Sequence, residues 1–312
     1  MAARPDDPHA DENRGERALG LSIALNVAIT AAEGLAGALS GSLALLADAL
    51  HNLSDVVGLV LAWAGVRIAR RGPTPRRTFG LLRAEPIVAF VNALVLLPLA
   101  GGVAWAGIQR LGTATSPPPG PVVILVGAVA LAANTASALF LRPHAHDDLA
   151  TRSALLHLAL DAAASAAVVV GGALLWAGVP LVDPILSMAI GVLTVRSALT
   201  MLAEAAHLLA EGAPEGASAD DVAACLRGVQ GVADVHHVHV WSVSSRLRAA
   251  TAHVVVPDGA LSDTLPLLGR MNERLRQTLG ITHPTLQLET AACDPPGLLG
   301  DPRALAGENE GP

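Results

Sequence analysis

The sequence predicts an all-α transmembrane domain of six helices followed by a small C-terminal α+β domain. Three observations predict it. Six apolar segments, each long enough to cross a bilayer at ~20 residues per crossing, fill residues 18–206. Beyond Ala210 these runs stop, and Val- and Thr-rich stretches alternate with amphipathic ones. The chain is 52% hydrophobic and only 15% charged, against about 25% charge in an ordinary soluble domain.

Residues 1–16 are polar and acidic and lack the basic start and cleavage site of a secretory signal, so they read as a disordered tail. The transmembrane domain is expected over 17–210, with helices at about 18–38, 43–66, 84–108, 121–142, 153–177 and 181–206. The first two are joined by Ser40-Gly41-Ser42, a turn that makes them a hairpin. The second connection carries Arg67, Arg70, Arg71, Arg76, Arg77 and Arg83; the fourth carries Arg142 and Arg152. The third has only Arg110 at its edge, and its Pro-rich Ser116–Pro121 cannot continue a helix. The positive-inside rule therefore places the second and fourth connections and both termini in the cytoplasm, as in a multi-pass protein of the inner (cytoplasmic) membrane. With aromatics at only 2%, the helices must pack through Ala, Gly, Leu and Val.

The second helix carries Asp48, His51 and Asp55 at i, i+3 and i+7, on one face. A charged residue in hydrocarbon costs roughly 2.5–3.5 kcal/mol on insertion scales, so this stripe must face protein, water or an ion. The His-x-x-x-Asp spacing recurs in the fifth helix as His157 and Asp161. His51 and Asp55 lie ~12 and ~18 Å in from the outer end of the second helix, and His157 and Asp161 ~6 and ~12 Å in from the inner end of the fifth. In a core ~30 Å thick the two pairs reach overlapping depths. Two imidazoles and two carboxylates form a tetrahedral N/O donor set of the kind Zn²⁺ favours. Such ligands bind metal only when deprotonated, so metal binding releases protons.

Asp48, one turn before His51, is a partner of the ligands or a proton relay. Glu33 is an intramembrane carboxylate on the first helix, at i+7 from Asn26. Asn92 and Asn134 read as interhelical hydrogen-bonding residues, and Arg83 and Glu85 as an ion pair at the membrane surface. His144, His146, Asp147 and Asp148 form a polar loop before the fifth helix. His9 lies in the N-terminal tail.

Residues 212–290 read as helix 218–228, strands 234–243 and 247–256, helix 261–279 and strand 284–290, a compact αββαβ unit with helices on one face of a sheet. Strand alternation puts His237 and His239 on one face and His236 on the other. Residues 294–312 are Pro/Gly-rich and read as a second disordered tail.

Four stretches carry a family resemblance: SGSLALLADALHNLSD and ATRSALLHLALDAAAS in the second and fifth helices, FGLLRAEPIVAFVN at the third, and DVHHVHVWSV in the soluble domain. They resemble the cation diffusion facilitator family of zinc transporters, over about residues 17–290. The resemblance implies a homodimeric divalent-metal/proton antiporter that exports metal from the cytoplasm, with a ferredoxin-like cytoplasmic domain that joins the dimer. It implies that His51, Asp55, His157 and Asp161 form the transport site, and its first ligand being His favours Zn²⁺ over Mn²⁺. It further implies that His236, His253 and Glu289 hold a regulatory metal. Gln287 stands where some members have another His, and His239, His283 or Cys293 are the candidates to replace it.

Other classes fit less well. Cd²⁺, Co²⁺, Fe²⁺ or Mn²⁺ is the alternative substrate within the same class. An enzyme is not expected: there is no His-Glu-x-x-His helix and no GxxxxGK[ST] loop, and no cofactor is implied. A membrane-anchored metal sensor would not need ligand pairs in two helices. No basic patch interleaved with aromatics appears, which argues against nucleic acid as a partner. Cys225 and Cys293 cannot build a disulfide framework. Zn²⁺, protons and the lipid bilayer are the expected partners.

Overall fold

The structure is a computed structural model that describes residues 8–69, 73–113, 116–141, 149–292 and 297–299. Side chains are described from residue 24 onward within these ranges, except at 58, 59, 61–69, 140, 141 and 149–157. The chain divides into two compact units, residues 1–71 with 88–203, and residues 72–87 with 204–312.

The first unit is built from helices α1 (Pro8–Ser40), α2 (Leu43–Ala69), α3 (Ala84–Leu111), α4 (Gly120–Leu141), α5 (Leu149–Trp176) and α6 (Val182–Leu209). Among the described residues, 84–111, 120–139, 158–176 and 182–209 are long and apolar enough to cross a membrane. α1 offers the shorter apolar stretch Ala24–Ser40. α1 also begins earlier than the apolar pattern suggests: the helix runs back to Pro8, into the segment expected to be a tail. That segment holds Ala, Glu and Arg, good helix formers that extend an established helix without needing to be apolar.

Gly41 adopts the left-handed conformation (φ 71°), so α1 ends and α2 starts within two residues as a hairpin. The start of α2 is held from the far side of the bundle. Fully buried Asp183, in the first turn of α6, accepts hydrogen bonds from the Ser42 hydroxyl (2.6 Å) and from the backbone N–H groups of Leu43 (3.0 Å) and Ala44 (3.2 Å). These N–H groups are among the donors a helix start leaves without an internal partner, and a carboxylate there also meets the positive end of the helix dipole. Arg110, at the end of α3, donates to the Gly41 carbonyl (2.6 Å) and lies 3.4 Å from Asp183. One carboxylate thus ties together the ends of α2, α3 and α6.

α4 and α5 approach closely because the residues between them are glycines. A methyl group added at Gly120 would stand 2.6 Å from the Gly172 carbonyl oxygen, and one at Gly172 would stand 2.8 Å from the Ile124 nitrogen. Asn134 of α4 donates to the Ser165 hydroxyl of α5 at 3.3 Å, and Asn92 of α3 reaches the Met201 sulfur of α6 at 3.8 Å, the interhelical role expected of both asparagines.

In the second unit, α7 (Ala219–Arg227), β1 (Asp234–Ser244), β2 (Leu247–Val255), α8 (Leu261–Leu279) and β3 (Ile281–Glu289) follow the expected αββαβ order. The sheet order is β1-β2-β3, with β1 and β2 antiparallel and β2 and β3 parallel. β3 begins at Ile281, before the expected position, because Gly280 ends α8 in the left-handed conformation and the chain pairs with β2 at once. The core joins Leu226 of α7 and Met271 and Leu275 of α8 to Val235, Val238, Ala252 and Val254 of the sheet. Successive strand residues face opposite ways, so His253, between Ala252 and Val254, lies on the face away from that core. Residues 297 and 298 accept the N–H groups of His237 (3.0 Å) and Val238 (2.7 Å), so this part of the expected tail is attached to β1.

Two outcomes follow from these contacts. Asp183→Ala leaves the start of α2 without its acceptor and Arg110 without its partner. It should lower the stability of the purified protein by about 3 kcal/mol in denaturant titration. In α7, Ser218 and Asp221 cap the helix reciprocally, and the Ser218 hydroxyl and N–H hold the Asp221 carboxyl below the usual range. The unfolded chain then binds this proton more readily. The stability gap between wild type and Asp221→Ala should be complete above the ordinary aspartate value of about 3.9 and close as pH falls through the depressed folded value, read by thermal unfolding across an acid pH series.

Candidate functional site

Pinning of α2 at Leu43 sets the rotation of its polar stripe. Asp48, one turn in, is 1% exposed; His51 and Asp55 follow on the same face, half-buried. α5 brings buried Asp161 to that face, and His51 Nε2 lies 3.4 Å from Asp161 Oδ1. His51, Asp55 and Asp161 each offer one donor atom, and the three atoms lie within 4.8 Å of one another, close enough to share one cation. His157 stands one turn before Asp161 on α5; its side chain lies outside the described residues.

A further carboxylate adjoins this group. Glu33 of α1 is fully buried and accepts a hydrogen bond from the Asn52 amide at 2.7 Å. Asn52 neighbours His51 in sequence, so α1 grips α2 at the turn that carries the imidazole. Asn26 is half-buried on the same helix. The loop residues His144, His146, Asp147 and Asp148 lie outside the described residues, as does the side chain of His9.

The second unit holds a second group. His236 of β1 pairs in register with His253 of β2, which pairs with Gln287 of β3. Glu289 reaches both histidines, with Oε2 3.1 Å from His236 Nε2 and Oε1 2.8 Å from His253 Nδ1. Donor atoms of His236, His253 and Glu289 lie within 4.8 Å of one another. Gln287 donates to Glu289 Oε1 at 2.7 Å and thereby orients the carboxylate.

Three sequence expectations need correction here. Strict alternation was to separate His236 from His237, yet both rings approach His253, at centroid distances of 5.4 and 5.0 Å. A β-bulge between His236 and His239, with His237 at φ 47°, inserts an extra residue and turns both side chains to the same side. The signal was present: buried Val235, Val238 and Val240 are spaced three and then two, and a regular strand has no three-residue step. His239 and His283 do not replace the residue that Gln287 displaces. His239 is exposed, and the His283 ring packs edge-on against Phe79 at 5.3 Å; Cys293 lies outside the described residues. The His237 ring packs beside this cluster, its centroid 5.5 Å from that of His236 and 5.0 Å from that of His253. Finally, Arg83 does not pair with Glu85: its guanidinium lies 3.0 Å from Glu211 and donates to the Leu209 carbonyl at 3.2 Å. Arg83 lies in the turn just before α3 begins at Ala84, and from there its guanidinium reaches Glu211.

Comparison with known proteins gives a consistent picture. Residues 19–210 match the model of the cation efflux transmembrane domain, and residues 214–291 match that of the cation efflux protein cytoplasmic domain. The chain is 35% identical over 92% of its length to the zinc transporter ZitB of Pectobacterium atrosepticum, covering 89% of that protein. It is 30% identical over 96% of its length to the metal cation efflux system protein CzcD of Cupriavidus metallidurans, covering 99% of it. It is 28% identical over 90% of its length to the cadmium, cobalt and zinc/H(+)-K(+) antiporter of Bacillus subtilis, covering 91% of it.

Proposed function

The chain belongs to the cation diffusion facilitator family of metal cation efflux transporters, and from that premise we propose that it exports Zn²⁺ from the cytoplasm in exchange for protons. The transport site in this reading is His51, Asp55, His157 and Asp161. The observation that carries it is the convergence of His51, Asp55 and Asp161 from two helices within 4.8 Å, inside an apolar bundle. Six helices cross the bilayer with both termini inside, over residues 17–210, and residues 212–290 form a ferredoxin-like cytoplasmic domain that joins a homodimer. The names of the relatives support the substrate: two of the three carry zinc, and one of these is named a zinc/H(+)-K(+) antiporter. Cd²⁺ and Co²⁺ are the next substrates in line, since the Bacillus subtilis relative is named for them and the N/O donor set accepts both.

Exchange follows from the donor chemistry. The imidazole of His51 and the carboxylates of Asp55 and Asp161 bind a divalent cation only in their deprotonated forms. Protons entering from outside compete for the same nitrogen and oxygens and release the metal. Rigid-body motion of helices around a site near the midplane lets one donor set face each side in turn. In the cytoplasmic domain, His236, His253 and Glu289 are proposed to hold a regulatory Zn²⁺. His237 stands beside them and Gln287 holds the carboxylate in place.

Asp55→Ala and Asp161→Ala should each abolish Zn²⁺-dependent proton flux in proteoliposomes while leaving thermal unfolding unchanged. Full flux in both variants removes this site. Separately, His253→Ala should bind one fewer Zn²⁺ per chain in equilibrium dialysis of the full-length protein, with the membrane site still filling; unchanged stoichiometry removes the cytoplasmic site.

A further inference from the structure

Within the second unit, the transport reading leaves one feature unused: a cavity of about 840 Å³ between the α2–α3 connection and β1. Residues 73–83 of the connection form a strap. Thr74 and Arg77 exchange backbone hydrogen bonds of 3.0 and 2.9 Å, Gly80 turns the chain at φ 66°, and Phe79 seats its ring against His283 of β3. Three arginines of the strap line the cavity, Arg76, Arg77 and Arg83. Arg83 is neutralised by Glu211. Arg76 and Arg77 are exposed, and among the described residues no carboxylate pairs with either. Phe79, Trp241 and Leu299 give the same cavity an apolar wall.

The chain itself fixes where this cavity lies. Arg83 directly precedes Ala84, where α3 begins, and its carbonyl partner is Leu209, where α6 ends. Both helices are long and apolar enough to cross a membrane. The cavity therefore adjoins the ends of two crossing helices, where hydrocarbon gives way to water and where Arg and Trp concentrate. A guanidinium fork matches phosphate oxygens, and a headgroup phosphate is the anion fixed at that depth. The volume falls within the range of about 300–1,000 Å³ typical of small-molecule pockets.

We propose that this cavity binds the phosphate of an anionic phospholipid headgroup, with Arg76 and Arg77 as its cationic donors and the Phe79–Trp241 wall against the glycerol end. The site is separate from both metal clusters and does not depend on which metal is carried.

The test is binding of a water-soluble short-chain phosphatidylglycerol to the full-length protein in neutral detergent, with the phosphatidylcholine of equal chain length and inorganic phosphate as parallel probes. Wild type should bind phosphatidylglycerol in preference to phosphatidylcholine, and millimolar phosphate should not displace it. The double variant Arg76→Gln/Arg77→Gln should lose about 30-fold in phosphatidylglycerol affinity, the combined effect of two cations near an anionic lipid surface. Arg76→Lys/Arg77→Lys should retain most of it. Equal binding of the two lipids by wild type overturns the proposal without reference to any variant. Unchanged affinity in the Gln variant also overturns it, and ready displacement by phosphate assigns the cavity to a free anion instead. Deleting residues 301–312, which contain Asp301, Glu308 and Glu310, should leave the affinity as it is; binding that appears only after deletion gives the cavity to the tail and overturns the lipid assignment.

Discussion

Carboxylates are not left in an apolar bundle without an answering group, and α2 carries two of them, Asp48 and Asp55, in the middle of apolar sequence. That constraint orders the first unit. α5 turns Asp161 toward His51, and α1 turns Glu33 toward Asn52. Both answering helices contribute another carboxylate rather than a fixed cation. The Asn52 amide donates to Glu33, and the His51 ring stands 3.4 Å from Asp161, so polar groups of α1, α2 and α5 meet inside the bundle. Such a cluster of carboxylates and an imidazole suits a cation, and the family to which the chain belongs moves metal cations.

Asp183 shows what the same residue type does when its position is structural. It too is buried, yet two backbone N–H groups, a hydroxyl and Arg110 all direct hydrogens or positive charge toward it. Nothing remains for a cation to do there. Burial alone therefore does not distinguish a carboxylate proposed to carry metal from an architectural one. The partners do: Asp183 is met by groups that cannot leave, whereas Asp161 is met by His51, whose own proton is exchangeable.

Much of this was legible in the sequence. The His-x-x-x-Asp spacings on α2 and α5 pointed to His51, Asp55 and Asp161, whose donor atoms the structure brings together, because helical periodicity converts a sequence interval directly into a face; the side chain of His157 lies outside the described residues. The αββαβ order followed from turn residues and alternating hydrophobicity. What escaped was the non-local and the irregular. Glu211, which meets Arg83, and Ser42, which donates to Asp183, each lie more than a hundred residues away in the chain, and no local pattern reports such distances. The bulge at His237 breaks the periodicity on which strand reading relies, so it moved an imidazole from one face to the other. In both cases the chemistry of the residue was evident and only its geometry was hidden.

The glycine seam between α4 and α5 has a mechanical consequence. With Gly120 and Gly172 bringing backbone against backbone, the two helices have no side-chain cushion along which to slide, and the Asn134–Ser165 hydrogen bond locks their register farther along. They behave as one thick beam. Asp161 rides on that beam, while His51 and Asp55 belong to a helix anchored elsewhere, at Asp183. Any stroke that opens the gap between donor atoms must therefore hinge along the α2–α5 boundary, with α4 and α5 moving together.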